Sequence, residues 1–350
     1  MSTSFSAAGG TPGREPLNTK TAAASLKQKE RRHSRGGDLL PSLRDTVSQF
    51  AIFFGLAIAC VTFAVLSPAF FTVPNLLNVA RIMSTDGMLA LGMTFVILAR
   101  GIDLSVGSVL ALSGAVAVIL IPRIGFAAGI LGALGTGTAF GILNGLRITA
   151  LSLQPFVATL GVMVIARGLT FIITGGYPIL ISDTSFDFIG NGHLGPIPFP
   201  IIVFAGTITL SYLALSRTVL GPQIYSIGGN PEAARRFGVN TSLVTIVSYA
   251  ICGLLAAVGG IILTSRLASS SPVAGMGYEL DAIAAVVIGG TSLTGGRGHI
   301  LGTIGGVAII AVMNNGLVLL NVDPNFQLIV KGLIILVAVS IDARFHKQRV

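Results

Sequence analysis

Apolar residues fall along the chain in ten runs, near 48–68, 78–100, 104–122, 126–147, 155–174, 199–216, 242–264, 280–293, 299–320 and 325–341. Most approach the ~20 residues that a helix needs to cross a bilayer. None alternates with the period of an outer-membrane strand. The pattern predicts an all-α, polytopic integral membrane protein of about ten transmembrane helices, some of them broken. The eighth and tenth runs are short for a full crossing, and Gly289-Gly290 and Gly295-Gly296 mark the eighth as an interrupted helix.

Polar stretches divide the chain further. Residues 1–47, rich in Ser, Ala, Gly and Thr, are expected to form a disordered N-terminal tail. The tail is too long and polar for a signal-peptide n-region, and no clear small-residue cleavage site follows the first apolar run, so that run is expected to stay as the first span. Residues 48–341 are the predicted membrane domain, and 342–350 a short C-terminal tail. The stretch GGNPEAARRFGVN at 228–240 breaks the apolar pattern most sharply. Gly228 and Gly229 allow a sharp turn, Asn230 can cap a helix, and Pro231 suits its first turn. Glu232 favours the positive helix N-terminus, Arg235 and Arg236 the opposite end, and Gly238 a stop. The expected result is a short helix, running through Ala233 and Ala234, held off the membrane in a loop over about 217–241. A connector of about two to eight residues would suffice between two spans. The stretch is therefore either an elaborate link or a helix that inserts into a groove on a cytoplasmic partner.

Composition sharpens the class. Of 350 residues 52% are hydrophobic and only 10% charged, against about 25% charged in soluble domains. A soluble fold is excluded. The 45 glycines are nearly double the usual ~7% and suit close helix packing and interrupted helices. Cys60 and Cys252 lie inside apolar runs as packing residues, with no disulfide framework.

The net charge of +9 reads as a topology signal rather than nucleic-acid binding. With both termini in the cytoplasm, seventeen Lys/Arg fall inside and three (Arg81, Arg123, Arg266) outside, while Arg167 and Lys331 lie within spans. This assignment puts 228–240 in the cytoplasm. It puts the long loop at about 176–198, with Asp183 and Asp187 and no Lys or Arg, on the outside. A faint repeat at an offset of 191 aligns 105–120 with 296–311, either a transporter-like repeat or shared Gly/Ala/Ile bias.

Several polar residues fall at membrane depth. In GIDLSVGS at 101–108, Asp103 is either an intramembrane functional carboxylate or, with Ser105, a cap on the third span. Glu279 and Asp281 open the eighth span and can cap it or face a polar solute. Asn314 and Asn315 can bond across helices or face a pathway. Arg167 and Lys331 can snorkel or pair with a carboxylate, and the sequence does not identify their partners. These five acidic and amide residues are the candidate substrate pathway. There is no G-x-x-x-x-G-K-[ST] phosphate loop, no metal-ligand spacing among His33, His193, His299 and His346, and no nucleophile–base arrangement. No catalytic residue, metal or cofactor is expected, and the chain is not expected to be an enzyme.

These residues together resemble the membrane permeases of bacterial ATP-binding-cassette sugar importers, most nearly the ribose-type branch. The resemblance covers about 48–341. It rests on GIDLSVGS at 101–108, PFVATLGVMVIARGLTFIITGG at 155–176, IYSIGGNPEAARRFGVN at 224–240, CGLLAAVGGII at 252–262, GYELDAIAAVVIGGTSLTGGRG at 277–298 and MNNGLVLLNV at 313–322. It implies that 228–240 carries a coupling helix that docks on an ATPase subunit. Glu232-Ala233-Ala234 followed by Gly238 looks like the EAA…G signature of importer permeases, but lacks the usual later Leu-Pro, which leaves the geometry after Asn240 open. The resemblance also implies separate ABC ATPase subunits, a periplasmic or lipid-anchored sugar-binding protein, and a second permease subunit, as a homodimer or pair. The place implied is the bacterial inner membrane, among lipid and without nucleic acid. The expected function is import of a monosaccharide by alternating access. The rivals are a proton-coupled secondary carrier using Asp103 or Glu279 and a non-transport membrane scaffold.

Overall fold

A computed structural model describes residues 43–347. The tail expected to be disordered lies, up to residue 42, outside the described residues. The first helix, α1 (Leu43–Leu66), begins inside the segment expected to be tail. It is followed by α2 (Val73–Leu98), α3 (Val106–Ile124), α4 (Phe126–Ala150) and α5 (Pro155–Thr174). An excursion then holds β1 (Ile179–Leu180), the short α6 (Thr184–Asn191), β2 (His193–Leu194) and β3 (Ile197–Pro198). The chain continues through α7 (Phe199–Arg217), α8 (Leu220–Gly229), α9 (Pro231–Arg236), α10 (Thr241–Arg266), β4 (Ser269–Ser270), α11 (Tyr278–Ile288), α12 (Ile300–Leu319) and α13 (Pro324–Lys347). The last helix thus extends through most of the segment expected to be a C-terminal tail.

Each of the ten apolar runs has its own helix. Among the described residues, seven helices are long and apolar enough to cross a membrane: α2, α3, α4, α5, α7, α10 and α12. The protein is nearly all-α and polytopic. α11 stops after 11 residues, a length of about 16 Å against a hydrocarbon core of ~30 Å, as the glycine pairs in the eighth run predicted.

α10 is the hub and packs on α2, α3 and α4. A Cβ at Gly253 of α10 would strike the Gly137 carbonyl and come within 3.0 Å of Gly141 Cα, so only glycine lets these two backbones meet. Met88, Leu91, Phe95, Leu110, Cys252, Ala256 and Val286 form part of the core thus closed. Large apolar side chains such as Phe54, Val61, Ile172 and Leu210 are exposed, a surface suited to lipid.

The segments predicted outside meet one another. Arg81 Nη2 lies 2.9 Å from His193 Nε2, Gly190 N–H donates to Ser265 Oγ at 2.7 Å, and β1 pairs with β4. The segments predicted inside also meet: Gly296 N–H donates to the Leu98 carbonyl at 3.0 Å, and Tyr225 Oη to the Gly298 carbonyl at 2.8 Å.

The internal repeat has a structural counterpart but not one register. α2 and α11 end in the same hydrogen-bonded cap, with left-handed Arg100 (φ 67°) and Gly290 (φ 83°) at equivalent places. These residues are 190 apart, whereas the starts of α3 and α12 are 194 apart, so the link after α11 is longer.

Candidate functional site

The corner at 220–240 is built from two short helices sharing one residue. Asn230 ends α8, where its N–H donates to the Ser226 carbonyl at 3.0 Å. It also starts α9, where its Oδ1 accepts the Ala233 N–H at 3.0 Å. α9 closes with Gly238 N–H donating to the Arg235 carbonyl and Val239 N–H to the Ala234 carbonyl, with Gly238 at φ 85°. Asn240 Oδ1 then caps α10 through the Leu243 N–H at 3.1 Å. The predicted helix, its cap and its stop are all present. One expectation fails: Gly228 and Gly229 do not form a turn but complete the last turn of α8. Gly228 is buried because backbone packs against it, and the change of direction falls at Asn230.

Of α9, Ala234 is buried, while Glu232, Arg235 and Arg236 are exposed. Phe237, immediately after, is 89% exposed.

The second region lies where two helices are interrupted. After α2 the chain runs unwound through Gly101–Leu104 before α3 begins. Asp103, 1% exposed, directs Oδ1 at the Ser105 N–H (2.8 Å) and accepts from Ser105 Oγ (2.6 Å). Asn144 Nδ2 of α4 donates to both Asp103 oxygens, at 3.3 and 3.4 Å, and to Ser105 Oγ at 2.9 Å. Thr159 and Tyr249 donate to the Ile102 carbonyl. The Asp103 carboxylate is thus spent on organising the start of α3.

The other interruption follows α10. From Leu267 to Gly277 the chain is irregular apart from two strand residues. It turns back into the protein: Gly275 abuts Gly107 of α3, while Leu110, one turn on, meets Gly260, six residues before the end of α10. The segment therefore reaches about 9 Å or more below that helix end. Arg167 of α5 holds it there, with Nη1 donating to the Pro272 and Ala274 carbonyls, each at 2.7 Å. A Cβ at Gly107 would overlap the Gly275 carbonyl and Glu279 Oε2, so the Glu279 carboxylate lies beside the first turn of α3. Its Oε1 accepts the Gly277 N–H at 3.3 Å.

The remaining candidates separate. Asp281 pairs with Lys331 of α13 at 2.7 Å. Asn315 exchanges two amide hydrogen bonds with Asn75 at 2.9 and 3.0 Å, joining α12 to α2, while Asn314 is half-buried. The structure thus names partners for Arg167 and Lys331. It also shows a residue the sequence reading passed over: Asp86, midway along α2, lies within electrostatic reach of Asp281 and Lys331. A lone carboxylate inside a long apolar run was the available signal.

The family described as branched-chain amino acid transport system / permease component matches residues 75–339. The ribose import permease protein RbsC of Bacillus subtilis is 46% identical over 295 residues, covering 83% of this chain and 92% of the relative. RbsC of Escherichia coli K12 is 44% identical over 282 residues, 79% and 88% respectively. The D-allose transport system permease protein AlsC of the same strain is 37% identical over 306 residues, 85% and 93%. No solved structure matches the chain.

Proposed function

Because this chain belongs to the family of branched-chain amino acid transport system permease components, we propose that it is the multi-pass inner-membrane subunit of an ATP-binding-cassette importer for a monosaccharide of the ribose type. The sugar class comes from the relatives, which are named for ribose and D-allose. Hydrolysis of ATP falls to partner chains.

The observation that carries the mechanism is the α8–α9 corner. It offers Glu232, Arg235, Arg236 and the bare Phe237 ring to the side predicted cytoplasmic. An ATPase docking there would drive the cycle, with Gly228, Gly229, Asn230, Glu232, Ala233, Ala234, Arg235 and Gly238 forming the coupling element. A sugar-binding protein would deliver substrate to the opposite face, and a second copy of the permease would complete the path. Both termini lie in the cytoplasm and ten helices traverse or enter the bilayer in this reading.

The path runs by the interrupted segments. Unwound backbone at membrane depth is tolerated only where protein or a polar cavity covers it, and it offers carbonyl and amide partners suited to a neutral polyol. Of the candidate pathway residues, Glu279 is best placed. Asp103 and Asn315 are held in structural bonds, which also weakens a proton-carrier role for Asp103.

Gentle affinity purification from native membranes, with every co-purifying protein identified, tests the reading. A stoichiometric ATPase bearing a phosphate loop is the expected companion. Recovery of the chain alone, under conditions that hold a reference importer together, would refute it.

A further inference from the structure

The cytoplasmic corner touches more than its own flanking helices. α8 ends against the link that joins the half-helix α11 to α12, and the contact is made by two glycine pairs. A Cβ on Gly228 would collide with the Leu98 carbonyl and the Gly296 amide. A Cβ on Gly296 would come within 2.7 Å of Gly229 N, and one on Gly295 within 3.0 Å of Gly228 Cα. Gly295 and Gly296 also hold left-handed backbone, φ 84° and 72°. Backbone therefore lies on backbone, with no side chain between to absorb movement.

Two hydrogen bonds pin the same contact. Tyr225, one turn before Gly228 on α8, donates Oη to the Gly298 carbonyl at 2.8 Å. Burial pushes this hydroxyl above its usual range. Gly296 N–H donates to the Leu98 carbonyl, tying the end of α2 into the joint.

The pieces on either side are stiff. Asn230 both ends α8 and caps α9, leaving no spare residue between the exposed helix and the joint. On the far side, Gly290 and Thr291 N–H groups bond back to Val287 and Val286, and Ser292 N–H bonds to the Arg297 carbonyl, so the link is folded onto the end of α11. α11 is the helix that carries Glu279 and Asp281.

We infer that the Gly228–Gly296 contact, pinned by Tyr225, is a transmission joint through which movement of the α8–α9 corner is passed sideways to the half-helix α11. Tyr225 and Gly228 are positioning residues for the transport cycle. This rests on the ATPase-docking reading. A corner acting only through α7 and α10, its neighbours in the chain, would not need this contact. With the joint, the segment nearest the unwound backbone moves with the corner.

The test uses the assembled permease–ATPase complex and needs no identified sugar. A spin label is placed at Leu280→Cys, an exposed position on α11, in a Cys60→Ala, Cys252→Ala background. Its spectrum is recorded with and without ATP, alongside ATP hydrolysis. Tyr225→Phe is expected to leave the ATPase bound and hydrolysing. It should shrink the ATP-dependent spectral change about five- to tenfold, the size of an ordinary coupling free energy. A structural role alone would not separate hydrolysis from motion at α11. An unaltered spectral change in properly assembled Tyr225→Phe would overturn the joint. If the unsubstituted chain does not hold the ATPase at all, the docking reading falls, and the joint with it.

Discussion

The Lys331 ammonium of α13 lies 2.7 Å from the Asp281 carboxylate at the start of α11. The Asp281 side chain is 5% exposed and that of Lys331 25%. The pair ties the last helix to the start of the half-helix, whose other end leads into the link that meets the α8–α9 corner. Replacing Lys331 by Met leaves a buried carboxylate unpaired, a loss of about 3–5 kcal/mol. Thermal unfolding in detergent should show a lower midpoint for Lys331→Met, with much of it regained in Lys331→Met, Asp281→Asn. A single variant as stable as the parent would mean that the pair does not form.

On the proposed docking surface, Phe237 offers an apolar anchor and Glu232 a charge. A bare ring at the centre of such a surface carries a large share of binding, about 2 kcal/mol or more. Phe237→Ala should therefore lower recovery of the ATPase by at least about tenfold, while the permease inserts normally. Glu232→Lys reverses the charge at the start of α9 and should uncouple hydrolysis from uptake. Normal uptake of radiolabelled ribose in both variants would count against the corner as the docking element.

Arg167 secures the unwound segment through two carbonyls and nothing covalent. Removing the guanidinium in Arg167→Leu strands the buried Pro272 acceptor as well as that of Ala274, at about 1–3 kcal/mol each. Local opening should follow. Hydrogen exchange across residues 273–278 should quicken by about tenfold or more, with the core of α10 unchanged. Arg167→Lys supplies a compact charge in place of the fork and should fall between. Equal exchange in all three proteins would show that Arg167 does not hold the segment.

The ten helical segments and the break after α11 were legible because hydrophobic run length and paired glycines record them directly. The α9 helix was legible for the same kind of reason: Asn230, Pro231, Glu232 and Gly238 each state a local backbone preference. What failed was inference about glycine partners. Gly228-Gly229 has the same letters whether it turns or admits a neighbouring backbone, and its partner, Gly296, lies far along the chain. Asp103 likewise reads as capping or functional until Asn144 and Ser105 are seen around it. Asp86 went unnoticed inside its apolar run although its type alone marked it.

Asn75 and Asn315 form a reciprocal amide pair, so each should be worth more in the presence of the other. Cycles of single and double alanine variants should give a coupling of about 0.6–1.7 kcal/mol, the range for polar contacts between membrane helices. Sugar uptake per folded molecule should change little in Asn315→Ala. Uptake lost with stability retained would return Asn315 to the pathway.

Asp103 separates the importer from the proton-coupled carrier most cleanly, because one substitution removes charge and keeps shape. In Asp103→Asn the remaining oxygen still accepts from the Ser105 amide and hydroxyl, so the start of α3 keeps its organising bonds, each weaker for the missing charge. A carrier that loads a proton on this carboxylate cannot work with an amide there. Asp103→Asn is therefore expected to reach the membrane and retain most of its sugar uptake, whereas Asp103→Leu, which supplies no acceptor, should accumulate poorly. The measurement is uptake normalised to membrane protein level, with and without an uncoupler while ATP is maintained. If Asp103→Asn abolishes uptake at normal levels, and the uncoupler abolishes it in the parent, the carboxylate carries protons and the capping account fails. Retained uptake in both conditions leaves ATP as the driving force and Asp103 as the residue that shapes the break between α2 and α3.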